Sequence, residues 1–451
     1  MSNGRRRSPS LFSGIVLILI GVLFLLHYFR GDIGIGEIFS RWWPLLLILW
    51  GVVRLLERRA PRRPGEAAPP VVRGSEILLV LALAALVGVV VGVDWIKRHV
   101  PGNDLPGMLG VNAYSYDIDV APKPVPPGAH ITVRTVHGDI TVRAEDTAQI
   151  EVTAKKSVRA WDDNEAQRLA APVTVVIEQA GDSFDVHPQG QAGNERVGVD
   201  IEVSVPRKAV LTVRDEHGDI EATGAEGSLS VNSQRGDVEI RDSSDVSVDI
   251  NRGDVKVSDT KGNVKISGTG GQVEVLNASG SMTLNGEFFG PIRAEKIAKG
   301  VRYVAQRTDL TISQLAGHLE TGSGNLEVFD APGNVILHTS SKDITMENVT
   351  GKLQILNRAG NIELRFLQPP KEDITVTNES AGINLTMPSN SSFEIQADSH
   401  SGAVECEFSS DSLKQANDDR GNAHLAGQVG LRGPKIILKT TYGSINIHKS
   451  S

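Results

Sequence analysis

The chain has 451 residues, enough for two or three compact domains or one extended array, and a formal charge of −8. Aromatic residues make up 5% and glycine accounts for 46 positions, a balance that fits repetitive β structure better than a conventional globular enzyme. The sole cysteine, Cys406, excludes an intramolecular disulfide, a cysteine zinc cage and Cys-x-x-Cys redox chemistry, and reads as a small buried hydrophobe.

Three apolar segments stand first, at residues 11–29, 42–56 and 77–96. The first and third match the roughly 20 residues a helix needs to cross about 30 Å of hydrocarbon. The second is shorter and carries Arg54, which can snorkel to the headgroups while Trp42 and Trp43 lie in the opposite interface. A cleaved signal peptide competes for residues 11–29, but that run ends in "HYFRGD" without small residues at a cleavage position.

Arg5, Arg6 and Arg7 precede the first segment, and Arg58, Arg59, Arg62, Arg63 and Arg73 follow the second. The positive-inside rule then predicts three helices in the cytoplasmic (inner) membrane, the N-terminus inside and everything after Ile96 periplasmic or extracellular. In the third segment Ala84, Gly88 and Gly92 share one helical face, where small residues permit self-association or packing on the other two segments.

Residues 100–451 carry 33 basic against 48 acidic side chains, a net of −15. This part is expected to repel nucleic acid and to attract cations or basic partners. The prolines at 101, 106, 122, 124, 126 and 127 predict a stiff spacer over residues 100–128. Longer alternating strands over 129–210, with a helical stretch near "WDDNEAQRLA", predict the capped beginning of an array.

The array itself is a recurring glycine, small polar residue, then apolar-polar-apolar: "HGDITV", "HGDIEA", "RGDVEI", "RGDVKV", "KGNVKI", "GGQVEV", "SGNLEV", "AGNIEL" and "YGSINI". Glycine tolerates positive φ at a corner, the neighbouring Asp or Asn bonds locally, and the period of two turns branched residues to one face. Glycines nine or eighteen residues apart predict an all-β, parallel β-solenoid (β-helix) over residues 211–451, with about two strands per 18-residue rung. Its two Arg-Gly-Asp tripeptides, at 235–237 and 252–254, then read as the general corner preceded by arginine. On that reading, Glu at positions 237 and 254 is expected to leave the fold intact, whereas Asp at Val238 and Ile240 unravels the rung.

From Gly286 to Leu319 the spacing loosens and Phe288, Phe289 and Tyr303 appear, as if filling a wider rung or lining a ligand groove. Residues 411–430 read as a polar surface loop. Asn-x-Ser/Thr sequons at Asn277, Asn348, Asn378, Asn384 and Asn390 matter only in a eukaryotic secretory route.

Nucleophile elbows, phosphate loops, His-Glu-x-x-His and Gly-x-Gly-x-x-Gly are absent from the sequence. Asp219, Asp237 and Asp254 could stack carboxylates as in a polysaccharide lyase or hydrolase, although corner positions give them a structural task. His137 and His217 share the context "HGDI", but 80 residues separate them and they read as solvated corner residues rather than a metal pair.

Through "VPRKAVLTVRDEHGDIEATGAEGSLSVNSQRGDVEI" and its later echoes, residues from about 129 to 449 resemble the putative-adhesin family of bacterial extracytoplasmic β-solenoid domains. The segments "SGIVLILIGVLFLLHYF" and "WWPLLLILWGVV" resemble the transmembrane region of LiaF-like cell-wall-stress proteins. The resemblance implies surface attachment or an envelope-stress role, and brings no catalytic, metal or cofactor residues with it. The expected protein is a membrane-anchored, non-enzymatic adhesin, scaffold or envelope-stress component with a glycan or protein partner. A cell-wall-active enzyme using carboxylates on the same flank is the alternative, and signalling through the membrane part is a third.

Overall fold

A computed structural model of the chain describes residues 112–191, 196–418 and 421–450. The three apolar segments, with the Ala84, Gly88 and Gly92 face, lie outside them. Among the described residues no helix is long and apolar enough to cross a membrane, and the one helix is Asp163–Ala170, N-capped by Asp162, which accepts from the Glu165 N–H.

The chain alternates between two facing sheets. Ile220–Thr223, Val238–Arg241, Val255–Thr260, Val273–Ala278 and Ile292–Ile297 pair in parallel in the first. Val210–Asp215, Leu229–Ser233, Val246–Ile250, Val264–Gly270, Met282–Phe288 and Val301–Val304 pair in parallel in the second. Equivalent residues fall in register, Val238 on Val255 on Val273 on Ile292, so each rung stacks like on like. These side chains are buried between the sheets, as are Ile240, Val246, Val248 and Ile266. Each contributes roughly 1.5–3 kcal/mol of apolar burial. The expected β-solenoid with two strands per rung is the architecture.

The corners explain the Gly-Asp pair. Gly236 and Gly253 have φ of +137° and +142°, and an added Cβ would strike the carbonyl oxygen of Gly218 or Gly236 one rung below at 1.8 or 2.0 Å. Beside them, each Asp accepts the corner N–H of the next rung. Asp139 accepts from Asp219 N at 2.9 Å, Asp219 from Asp237 N at 2.8 Å, Asp237 from Asp254 N at 2.8 Å, and Asp254 from Gln272 N at 2.7 Å. The opposite corner repeats the device with Asp245, Asn263 and Asn334. Here the strand carbonyls no longer face the next N–H, and a short side-chain oxygen takes their place.

Four segments depart from the sequence-based expectations. Thr308–Ile312 and Leu315–Thr321 run antiparallel to both neighbours in their sheets, so a single rung is traversed backwards between two parallel stacks. The loosened glycine spacing marks this reversal rather than a wider rung; Tyr303 is buried there, its hydroxyl pushed up to about 12 chiefly by burial, while Phe289 faces solvent. Residues 411–430 contain a hairpin, Lys414–Asn417 with Ala423–Val429, laid antiparallel on Phe393–Ser399, because Ala423 and Leu425 alternate inward. Asn112–Asp119, within the expected spacer, is a strand along Gln149–Ala160, since Tyr114, Tyr116 and Ile118 pack on the core.

The fourth departure concerns the order of rungs. His130–Thr135 and Ile140–Glu145 are inserted between the rung of Ser183–Gln189 and Val197–Pro206 and the rung of Val210–Asp215 and Ile220–Thr223. At the other end Lys435–Tyr442 and Ile445–Ser450 are inserted one rung inward in the same way. Antiparallel strands then close both ends: Gln149–Ala160 and Thr174–Ala180 at one, Ala423–Val429 at the other. They shield parallel edges that would otherwise template further pairing.

The ladder revises the expectation that glutamate is neutral at 237 and 254, because a longer side chain carries the carboxylate past the N–H it accepts. The D237E/D254E variant is expected to lose about 1 kcal/mol per site, with D237N/D254N retaining most of it; thermal melting of the two variants checks this.

Candidate ligand-binding groove

At the corner carrying the Gly-Asp pairs, an open groove of about 830 Å³ crosses the first rungs. Its floor is built from the ends of His130–Thr135, Val210–Asp215 and Leu229–Ser233 and the corner residues after Val246–Ile250; His187 and Pro188 of the neighbouring hairpin form one wall. Because the rungs are in register, arginines remote in sequence become neighbours. Arg134 lies beside Arg214 on the next strand, and Arg235 and Arg252 occupy successive corners. Arg134 is paired with Asp185, its Nη2 at 2.8 Å from the carboxylate.

His137 and His217 occupy the equivalent corner positions in the two rungs below Arg235. Their rings stack with centroids 4.8 Å apart and 5° between planes, and both are half-buried with Nδ1 lacking a hydrogen-bond partner. This corrects their reading as separate solvated residues. Residues 149–206 build the end strands and the rung beyond, so the rungs carrying the two histidines are direct neighbours despite the 80-residue separation. No group of three or more His, Cys, Asp or Glu side chains suited to a metal ion occurs among the described residues.

Asp215 is the unusual group. It is 2% exposed and sits in register with Thr135 and Ser233 at the last inward position before the corner. In the next rungs that position passes through Ser233 to Ile250 and Gly268, and in the later rungs it holds a donor to the corner carbonyls. Asn357 donates to Ala359 O at 2.8 Å, Asn378 to Ala381 O at 3.1 Å and Ser399 to Gly443 O at 2.7 Å. A carboxylate cannot donate, and neither Asp215 oxygen has a well-formed hydrogen bond. Burial raises this carboxyl to about 8, outweighing the nearby N–H groups of His217 and Glu216. Near neutral pH it is predominantly protonated and chemically resembles the amides and hydroxyls of its column.

The carboxylates singled out for possible glycan chemistry behave differently. Those of Asp219, Asp237 and Asp254 face a smaller depression on the first sheet, each engaged through Oδ1 by a backbone N–H. Glu239, between them, is held below the usual carboxylate range by Arg241, with Lys256 adding to it. The depression thus pairs ladder acids, each giving Oδ1 to a backbone N–H, with a Glu239 held by its cations. The Asp of each Arg-Gly-Asp likewise gives its Oδ1 to the corner N–H of the next rung, the structural task its place in the repeat implies. Sequence reasoning passed over Asp215, although its place two residues after Val213 and four after Leu211 already put it on the inward face.

Between about pH 4 and 8 the folded chain retains a proton on Asp215 that the unfolded chain has released, so this residue makes stability fall as pH rises and level off above about 8. Asp215→Asn is expected to raise the melting temperature at pH 8, by several degrees for a gain on the order of 1–3 kcal/mol, and to change little at pH 4. Thermal melts of the two proteins across pH check both halves.

Comparison with known proteins gives the chain its relatives. Residues 12–97, ahead of the solenoid, match the LiaF transmembrane domain. Among solved structures it is similar to a putative cell adhesion protein from Clostridium sporogenes ATCC 15579, at 9% identity over 75% of this chain and 100% of that one, with a TM-score of 0.16. A putative adhesin from Parabacteroides distasonis ATCC 8503 aligns at 10% identity over 74% and 97%, TM-score 0.17. No curated protein matches. Residues 129–448, most of the chain and nearly all of the described solenoid, match the Toastrack DUF4097 family, and the chain belongs to that family.

Proposed function

We propose that this protein is a membrane-anchored, non-enzymatic component of the bacterial cell envelope, whose solenoid stands outside the cytoplasmic membrane and binds an envelope partner along one edge. The observation that carries the reading is the order of parts in one chain: a LiaF transmembrane match, then a Toastrack solenoid. The arginines before residue 11 and between 56 and 77 favour a cytoplasmic N-terminus with three crossings, which leaves the solenoid outside.

A binding role is favoured over cell-wall hydrolysis by the state of the acids. Hydrolysis of a glycosidic bond uses one protonated and one ionised carboxyl flanking the bond. The stacked Asp219, Asp237 and Asp254 each give Oδ1 to the ladder, and Glu239 is held ionised by its cations. What remains is a rigid in-register surface on which outward side chains can vary without cost to the core.

The topology is tested with an Asp411→Cys probe in a Cys406→Ser background, Asp411 being exposed. A membrane-impermeant maleimide is expected to label intact spheroplasts as fully as lysed ones. Labelling only after lysis places the solenoid in the cytoplasm and overturns the reading.

A further inference from the structure

We propose that the groove over the first rungs binds an extended polyanion, a polymer carrying phosphodiester or carboxylate groups, along the row Arg214, Arg235 and Arg252. This names a ligand class for the binding role above and rests on it. The three arginines line one groove, and among the described residues none has an ion-pair partner. Arg134, at the end of the row, is already neutralised by Asp185.

The strands that form the groove are consecutive neighbours in one sheet, Ser183–Gln189, His130–Thr135, Val210–Asp215, Leu229–Ser233 and Val246–Ile250. At the usual strand separation they span about 19 Å, the length of several repeat units of a linear polymer rather than of one small ion. Guanidinium groups on successive rungs present a ladder of paired donors suited to phosphate or carboxylate oxygens.

The acidic character of the whole exterior does not oppose this. At physiological salt, charges more than about 8 Å away are screened, and the groove is governed by its own lining. That lining contains two acids, Asp215 and Glu216; burial keeps the first largely uncharged near neutrality, while the second is exposed. The depression on the first sheet has the opposite lining, Asp219, Glu221, Asp237, Glu239, Asp254 and Glu274 around Lys256. A polyanion is therefore drawn to one corner and repelled from the adjoining flank. The uncoordinated Nδ1 atoms of the stacked His137 and His217, and the buried Asp215 oxygens, add unspent polar groups beside the row.

The experiment measures binding of the full chain, in neutral-detergent micelles, to fluorescent poly(glycerol phosphate), to polygalacturonate and to uncharged dextran. At least one polyanion is expected to bind above dextran, with affinity falling as salt rises. R235Q/R252Q is expected to weaken that binding about tenfold or more with an unchanged melting temperature, since both side chains are exposed. K256Q, in the acidic depression, serves as the control and should bind as the wild type does. Preference for poly(glycerol phosphate) identifies a phosphodiester polymer, and preference for polygalacturonate a carboxylate one. Failure of both to exceed dextran, or undiminished binding by R235Q/R252Q, overturns the proposal. Neither result bears on which side of the membrane the solenoid occupies, which the labelling experiment decides separately.

Discussion

The Gly-Asp corners of this solenoid share a difficulty: there the backbone bends away and an N–H is left without the carbonyl that would face it in a strand. The chain answers with a side-chain oxygen from the rung below, as when Asp237 accepts from Asp254 N at 2.8 Å. Because an unpaired backbone group costs on the order of 1–3 kcal/mol, the acceptor recurs from rung to rung, at Asp139, Asp219, Asp237 and Asp254 along one corner, and it must be short. Glycine beside it permits the carbonyl of the neighbouring rung to approach where a Cβ would collide.

Once corners are fixed, the rest follows with few further demands. The period of two after each corner sends Val, Ile and Leu into a common interior and leaves the intervening positions free, so a row one residue wide can change character along the stack. The same freedom lets the residue before the corner glycine be histidine in two rungs and arginine in the next two, turning a structural repeat into a basic edge. The inserted terminal rungs and antiparallel end strands complete the scaffold without exposing a long parallel edge.

How much of this was legible in the sequence depended on distance along the chain. The rungs from Val210 to Val301 were readable because glycine spacing and alternation are local signals, and the register Val238 on Val255 on Val273 merely repeats them. The reversed strands Thr308–Ile312 and Leu315–Thr321 alternate in the ordinary way, and alternation carries no direction. Insertion of His130–Thr135 between Ser183–Gln189 and Val210–Asp215 is a choice of partner across some 50 to 80 residues, which no local pattern encodes. The histidine stack was hidden for the same reason, since it exists only after that choice, whereas the row Arg214, Arg235 and Arg252 lies on consecutive rungs. Asp215 was different: its inward parity was visible, and only the donors at Asn357 and Asn378 reveal what its position requires.

Cysteine cross-linking across one rung tests the stacked, parallel ladder most directly. With Cys406 replaced by serine, cysteines at positions 239 and 256 stand on adjacent parallel strands in register, at a rung spacing of about 4.8 Å that a disulfide can bridge. Positions 239 and 247 lie in opposite sheets. Rapid oxidation of the 239/256 pair with no link between 239 and 247 is the expected result. A link between 239 and 247, with none between 239 and 256, would show an ordinary antiparallel hairpin and contradict the fold and the groove built upon it.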